Sequence, residues 1–197
     1  IKWYLPPPHN YKLNIDASLG NHNTGGIGGI IRNSQGDMIV GFTNKIKAYN
    51  STHAELQALH VGLKLAHDKG LAPLEIDTDS TDIIQLLEHN SFPAYTNTIL
   101  ECRYLLKRLG NPVARLSFRE GNKVAHFLCK LGSKQQHLSP TTTILHSPPD
   151  PIKRIIQEDK NEASTTRLVS SSVCNTLAVF GNLSIIPTIT NSDVMPL

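Results

Sequence analysis

Tyr11-Lys12-Leu13-Asn14-Ile15-Asp16-Ala17-Ser18, then Thr52-His53-Ala54-Glu55, then Pro73-Leu74-Glu75-Ile76-Asp77-Thr78-Asp79, are the stretches whose reading decides the fold. In the first, Leu13 and Ile15 share one face by period-two alternation, and Asn14 and Asp16 share the other, the mark of a strand. Two more strands are predicted at 27–32 and 38–46, divided from it and from each other by the glycine-rich 20–26 and by 33–36. Connections this short predict an antiparallel meander. From Thr52 the period lengthens, with Leu56, Leu59, Leu63 and Ala66 at helical spacing and Gly70 placed to end the helix. A buried strand at 73–78 follows, and Ser80 or Thr81 caps a helix carrying Ile83, Ile84, Leu86 and Leu87. A third helix at 97–109 stops at Gly110-Asn111-Pro112, and a strand at 113–118 and a last helix at 122–131 complete the series. The pattern predicts an α/β fold around a mixed sheet.

Composition bounds the rest. A chain of 197 residues that is 39% hydrophobic has enough material for one domain and an extension. Residues 1–10, with Pro6, Pro7 and Pro8, read as an extended lead-in, residues 11–132 as the domain, and residues 133–197 as a Ser/Thr/Pro-rich tail expected to be disordered. An apolar run at 177–189 could pair locally as a hairpin but brings no second core. Basic residues number 19 against 16 acidic ones, a net of +3; the tail is charge-balanced, so the excess belongs to the domain and mildly favours a polyanionic partner. Cys102, Cys129 and Cys174 lie far apart, which speaks against a disulfide framework or a zinc site and for a reducing, intracellular compartment, nuclear or cytoplasmic. No stretch approaches a membrane span, no secretion signal is read, and a monomer is expected.

Three carboxylates stand where a mixed sheet would gather them: Asp16 in the first strand, Glu55 in the first turn of the first helix, and Asp79 at the end of the fourth strand. Like charges that close are costly unless cations intervene. Hard divalent ions with phosphate oxygens as co-ligands are the matching chemistry, and two such ions about 4 Å apart cleave phosphodiesters. Each acid also has a plainer explanation. Thr52-His53-Ala54-Glu55 is a capping box as well, Asp79 before Ser80 suits a turn or helix cap, and Asp16 suits a solvated strand end. The Gly25-Gly26-Ile27-Gly28-Gly29 run has no GK[ST] after it and reads as a tight hairpin rather than a phosphate loop.

Trp3 and the prolines, Lys12-Leu13-Asn14-Ile15-Asp16, Gly28 with Ile31-Arg32-Asn33, His53-Ala54-Glu55, Asp79-Ser80 and Arg119-Glu120-Gly121-Asn122-Lys123-Val124-Ala125 together resemble the plant ribonuclease H-like domain of reverse-transcriptase ancestry. The resemblance covers about two-thirds of the chain. It implies a ribonuclease H-like fold with a five-stranded mixed sheet flanked by helices, a nucleic-acid partner, and metal-dependent hydrolysis of the RNA strand of an RNA/DNA hybrid with Mg²⁺ or Mn²⁺. Asp16, Glu55 and Asp79 match the first three acids of that family's site. The fourth acid is expected after Val124-Ala125, where this sequence has His126. A neutral imidazole suits Mg²⁺ poorly and removes a negative charge, so of two ions the second is in doubt and activity is expected to be weakened or shifted to Mn²⁺. His126 as a helix-face residue without a ligand role is the competing reading. Where bacterial relatives carry a histidine ten residues before the fourth acid, this chain has Leu116.

Candidate nucleic-acid contacts are Asn14, Ser18, Asn23 and Thr24 toward sugars or phosphates, and Arg32, Arg119 and Lys123 toward phosphates. Residues 89–98 carry no dense basic handle. A metal-dependent ribonuclease, a catalytically impaired binding module of retroelement origin, and an α/β interaction domain that binds no nucleic acid are the three functional expectations.

Overall fold

The computed structural model describes residues 1–88 and 95–164; the apolar run at 177–189 lies outside them. Strand β1 (Tyr11–Leu19) turns through a short 3-10 segment into β2 (Thr24–Arg32), and β2 turns into β3 (Met38–Lys47). The long helix α1 (Ser51–Asp68) leads to β4 (Leu74–Thr78), then α2 (Thr81–Glu88) and α3 (Thr96–Arg108). Strand β5 (Ala114–Leu116) and helix α4 (Lys123–Ser133) follow, and the chain continues through β6 (Thr143–Leu145) into α5 (Asp150–Lys160). The predicted antiparallel meander is present, with β1 pairing β2 and β2 pairing β3 antiparallel. β4 joins β1 in parallel and β5 joins β4 in parallel, giving the mixed sheet the sequence implies.

The sheet has six strands in the order β5-β4-β1-β2-β3-β6, one more than expected. The extra strand, β6, pairs antiparallel with β3, Phe42 opposite Ile144, and so covers part of an edge that would otherwise offer unpaired amides. It is short, and its neighbours are Thr, Ser and Pro, so no alternation announces it. Helix α5 corrects the expectation of disorder from residue 133 onward, at least as far as 164. Its Ile152 and Ile156 are buried with Ile30, Val124 and Leu128 in a second small core. Pro149 and Pro151 frame the helix start, where a missing amide costs nothing, rather than marking a disordered stretch.

One face of the sheet carries the main core, in which Leu13, Ile15, Ile76 and Phe42 meet Leu56, Leu59 and Leu63 of α1. On the other face α4 lies directly on the glycines of β2. A Cβ at Gly26 or Gly28 would collide with the backbone of residues 128–133, so this close approach requires glycine at both places. The reading of the run as a hairpin turn is thereby amended: Gly25 to Gly29 are strand residues, and helix contact is what selects Gly26 and Gly28.

The lead-in is also folded onto the domain, against the expectation that order begins at Tyr11. Trp3 is buried and its indole Nε1 donates to Asn14 Oδ1 at 3.0 Å. The guanidinium of Arg32 lies over the Trp3 ring, 3.4 Å from its centroid, and pairs with Asp159 Oδ2 of α5 at 2.7 Å. Lys2 pairs with Glu162 at 2.8 Å, joining the start of the lead-in to the end of α5. Among the described residues no helix is long and apolar enough to cross a membrane.

Candidate active site

The strand register does what the sequence pattern requires of it. Asn14 stands opposite Asp77 in the parallel β1–β4 pair, and two residues further on Asp16, within β1, comes beside Asp79, just past the end of β4. Glu55 reaches them from the first turns of α1. Each of the three offers an oxygen within 4.8 Å of the others, so together they could hold a metal ion. Asp16 and Glu55 are buried and Asp79 is partly so.

The capping-box alternative for Glu55 fails. The helix cap is Asn50, whose side-chain oxygen accepts from the His53 amide at 2.8 Å, and Thr52 donates instead to Asp82 at 2.6 Å. Glu55 Oε1 accepts from the Ala17 amide at 3.2 Å, which fixes its carboxylate against β1. Its other oxygen, Oε2, is buried and has no hydrogen-bond partner. An unpartnered buried carboxylate oxygen is costly in a folded protein and marks a place where a ligand completes the structure.

Electrostatics agree. Burial, and then the neighbouring Asp79, push the Asp16 carboxyl up to about 6, against the opposing pull of His126. Burial, with Asp16 and Asp79 adding to it, raises Glu55 well above the usual carboxylate range. Asp79 is raised by burial too, with Arg119 opposing. Three acids that resist ionising together make a group that a bound cation would stabilise.

His126 sits on α4 with Nδ1 2.7 Å from Asp16 Oδ2, so it touches the acidic group at the expected fourth corner. α4 is held there by Asn122, whose side-chain amide donates to the Ile15 carbonyl at 2.7 Å. The sequence reading gave Asn122 no role, and nothing in its local context marks a residue that anchors one element to a strand distant in sequence. Arg119, exposed in the turn before α4, brings Nε to 3.7 Å from Asp79 Oδ2. Leu116 is buried in β5, behind the site rather than in it.

The other candidate contacts divide. Asn14 and Arg32 are corrected: both are buried, and they bond to Trp3, to Asp159 and to each other, so neither can meet a phosphate or a sugar. The alternation was read properly, but the lead-in and α5 cover the face that was taken to be open. Ser18 is half-buried beside Cys129, with Sγ 3.2 Å from its hydroxyl. Asn23 lies in the β1–β2 turn, exposed and with its carbonyl accepting from the Ala48 amide at 3.0 Å, and Thr24 opens β2. Lys123 is half-buried at the start of α4, close enough to lower the Asp159 carboxyl and so turned toward α5.

A mixed sheet with one acid within β1, one just past β4 and one in the first turns of α1 defines a ribonuclease H-like domain. The chain belongs to the reverse transcriptase-like family, whose profile matches residues 14–132. It is 33% identical over 89 residues to an Arabidopsis thaliana protein that bears a ribonuclease H protein name. That alignment covers 45% of this chain and 14% of the relative, so the chain spans a small part of that protein's length. Its fold is similar to that of the N-terminal RNase H domain of a Mycobacterium tuberculosis protein, solved as a fusion with maltose-binding protein (TM-score 0.56, 17% identity, 63% of this chain and 93% of that one). It is also similar to an RNase H1 isolated from compost, solved in complex with an RNA/DNA hybrid (TM-score 0.53, 21% identity, 62% of this chain and 94% of that one).

Proposed function

We propose that this domain is a metal-dependent endonuclease that hydrolyses the RNA strand of RNA/DNA hybrids, with activity lowered by His126. The observation that carries the reading is the convergence of Asp16, Glu55 and Asp79 within 4.8 Å, with Glu55 Oε2 buried and unpartnered. Three hard oxygen donors held together, their carboxyls raised by burial and by one another, fit a divalent ion of the Mg²⁺ or Mn²⁺ type. When bound, such an ion polarises the phosphate and makes an attacking water acidic.

The chain's own residues supply the rest. Asp16 and Asp79 are fixed by strand register and Glu55 by the Ala17 amide, so the donors are preorganised. Arg119, exposed at the rim, is placed to neutralise a phosphate entering beside Asp79. Ser18, Asn23 and Thr24 line the approach along β1 and its turn and remain proposed contacts to the nucleic acid. His126 engages one oxygen of Asp16, which takes donor capacity from the fourth corner, where a second ion would need a carboxylate. That contact favours a second reading as well, a hybrid-binding module whose catalysis is impaired.

The test is cleavage of a labelled RNA/DNA hybrid in Mg²⁺ and in Mn²⁺, with Asp16→Asn as control. Cleavage by the natural protein that disappears in the control supports the nuclease. Hybrid binding without cleavage, restored by His126→Asp, supports the impaired module, and failure to bind hybrid at all refutes both.

A further inference from the structure

Beside the acidic group lies a feature that cleavage does not use. Tyr49, His53 and Tyr95 form a ladder of three stacked rings, with centroids 5.0 Å apart at both steps and interplanar angles of 14° and 16°. The ladder is rigid. Asn50 caps α1 directly under it, and the Tyr49 amide donates to His53 Nδ1 at 3.2 Å, fixing the middle ring. Tyr49, the outermost rung, is 78% exposed, so the face turned away from His53 is open to solvent.

An aromatic face held flat and open is costly to leave in water and suits a planar partner. The surroundings say which kind. Lys47 and Asn50 are exposed on either side, and the exposed turn of His22 and Asn23 is bonded to Ala48 beside them. Neither segment, 21–24 or 47–53, contains an acidic residue, and among the described residues the one carboxylate bonded to them, Asp82, is engaged by the Thr52 hydroxyl at 2.6 Å. A flat aromatic with a neighbouring lysine and amides, and with no carboxylate from its own segments, matches a nucleobase on its sugar-phosphate chain.

Bases inside a duplex have both faces covered by neighbours, so away from a blunt end only an unpaired base can stack on Tyr49. We propose that the Tyr49–His53–Tyr95 ladder is a stacking platform for an unpaired nucleobase, which directs this domain to the junction between a hybrid and a single strand. The proposal rests on the hybrid-binding reading and adds the form of the substrate to it.

The experiment compares binding of a blunt RNA/DNA hybrid with that of the same hybrid bearing a short single-stranded overhang. It uses the full chain in EDTA so that nothing is cut, with fluorescence anisotropy as the readout. The overhang should tighten binding about tenfold, the scale of one base–aromatic stack. Tyr49→Ala should abolish that preference while leaving blunt-hybrid affinity unchanged, and Tyr49→Phe should keep it. A 2-aminopurine placed in the overhang should be quenched by the natural protein and by Tyr49→Phe, but not by Tyr49→Ala. Equal affinity for both substrates, or an overhang preference that survives in Tyr49→Ala, overturns the platform and leaves the nuclease reading standing. No binding to either substrate overturns both.

Discussion

Replacing Arg32 by Met tests whether the lead-in, the sheet and α5 form one body. Arg32 and Asp159 are 1% and 6% exposed and 2.7 Å apart, and Arg32 lies over Trp3. Burial lowers the Arg32 pKa and raises that of Asp159, so for each group desolvation outweighs the attraction of its partner. Such a pair contributes little net stability over an apolar pair of the same shape, but losing one member strands the other charge. Arg32→Met keeps the contact with Trp3 and leaves Asp159 buried alone, which costs about 3–5 kcal/mol of the roughly 5–15 kcal/mol typical of a domain. The deficit should be larger at pH 8 than at pH 5. A carboxyl whose folded pKa is raised destabilises progressively as pH climbs from its unfolded value through the folded one, and low pH neutralises the stranded acid. Urea unfolding followed by circular dichroism measures this, and the double variant with Asp159→Leu should recover at least half of the loss. A single-variant cost below about 1 kcal/mol, or a double variant as unstable as the sum of its parts, would refute the account.

Further outcomes follow from the site and from the helix contact. In EDTA, Asp16→Asn should be more stable than the natural protein above pH 6: a carboxyl raised to about 6 from 3.8 carries a folded-state penalty of about 3 kcal/mol when ionised, and that penalty vanishes below pH 4. Added Mg²⁺ should raise the melting temperature of the natural protein, increasingly so as pH rises and the raised carboxyls give up their protons, and should leave Asp16→Asn nearly unmoved. His126→Asp should raise Mg²⁺-supported cleavage by at least tenfold relative to Mn²⁺-supported cleavage; an unchanged ratio in initial-rate assays would mean that the fourth corner does not limit the reaction. Gly28→Ala should lose about 3 kcal/mol in chemical denaturation, because its methyl group meets the α4 backbone at Cys129 rather than a side chain that can yield.

Much of the fold is legible because the governing signals are local. The alternation of Leu13, Asn14, Ile15 and Asp16 and the change of period at Thr52 need no distant partner to be read, and with Asp79 closing the fourth strand they place the acids. What escaped the sequence depends on long-range covering. Asn14 and Arg32 sit on the strand face assigned to them, yet that face is closed by Trp3 and by Asp159, residues remote in sequence with nothing local to announce them. Helix α5 buries only Ile152, Ile156 and Asp159, a stripe too narrow to stand out between prolines and threonines. Asn50 could have been preferred as the cap, since asparagine is among the strongest N-cap residues, but the Thr-x-x-Glu spacing offered a competing signal at the same helix start.

The ion pair between Lys2 and Glu162 has an architectural meaning. It brings residues 2 and 162 to one spot, so the described body closes on itself between the lead-in and the stretch after α5. A short bridge between those residues, with new ends opened in the exposed turn at Gly110, should therefore leave the order of strands in the sheet intact.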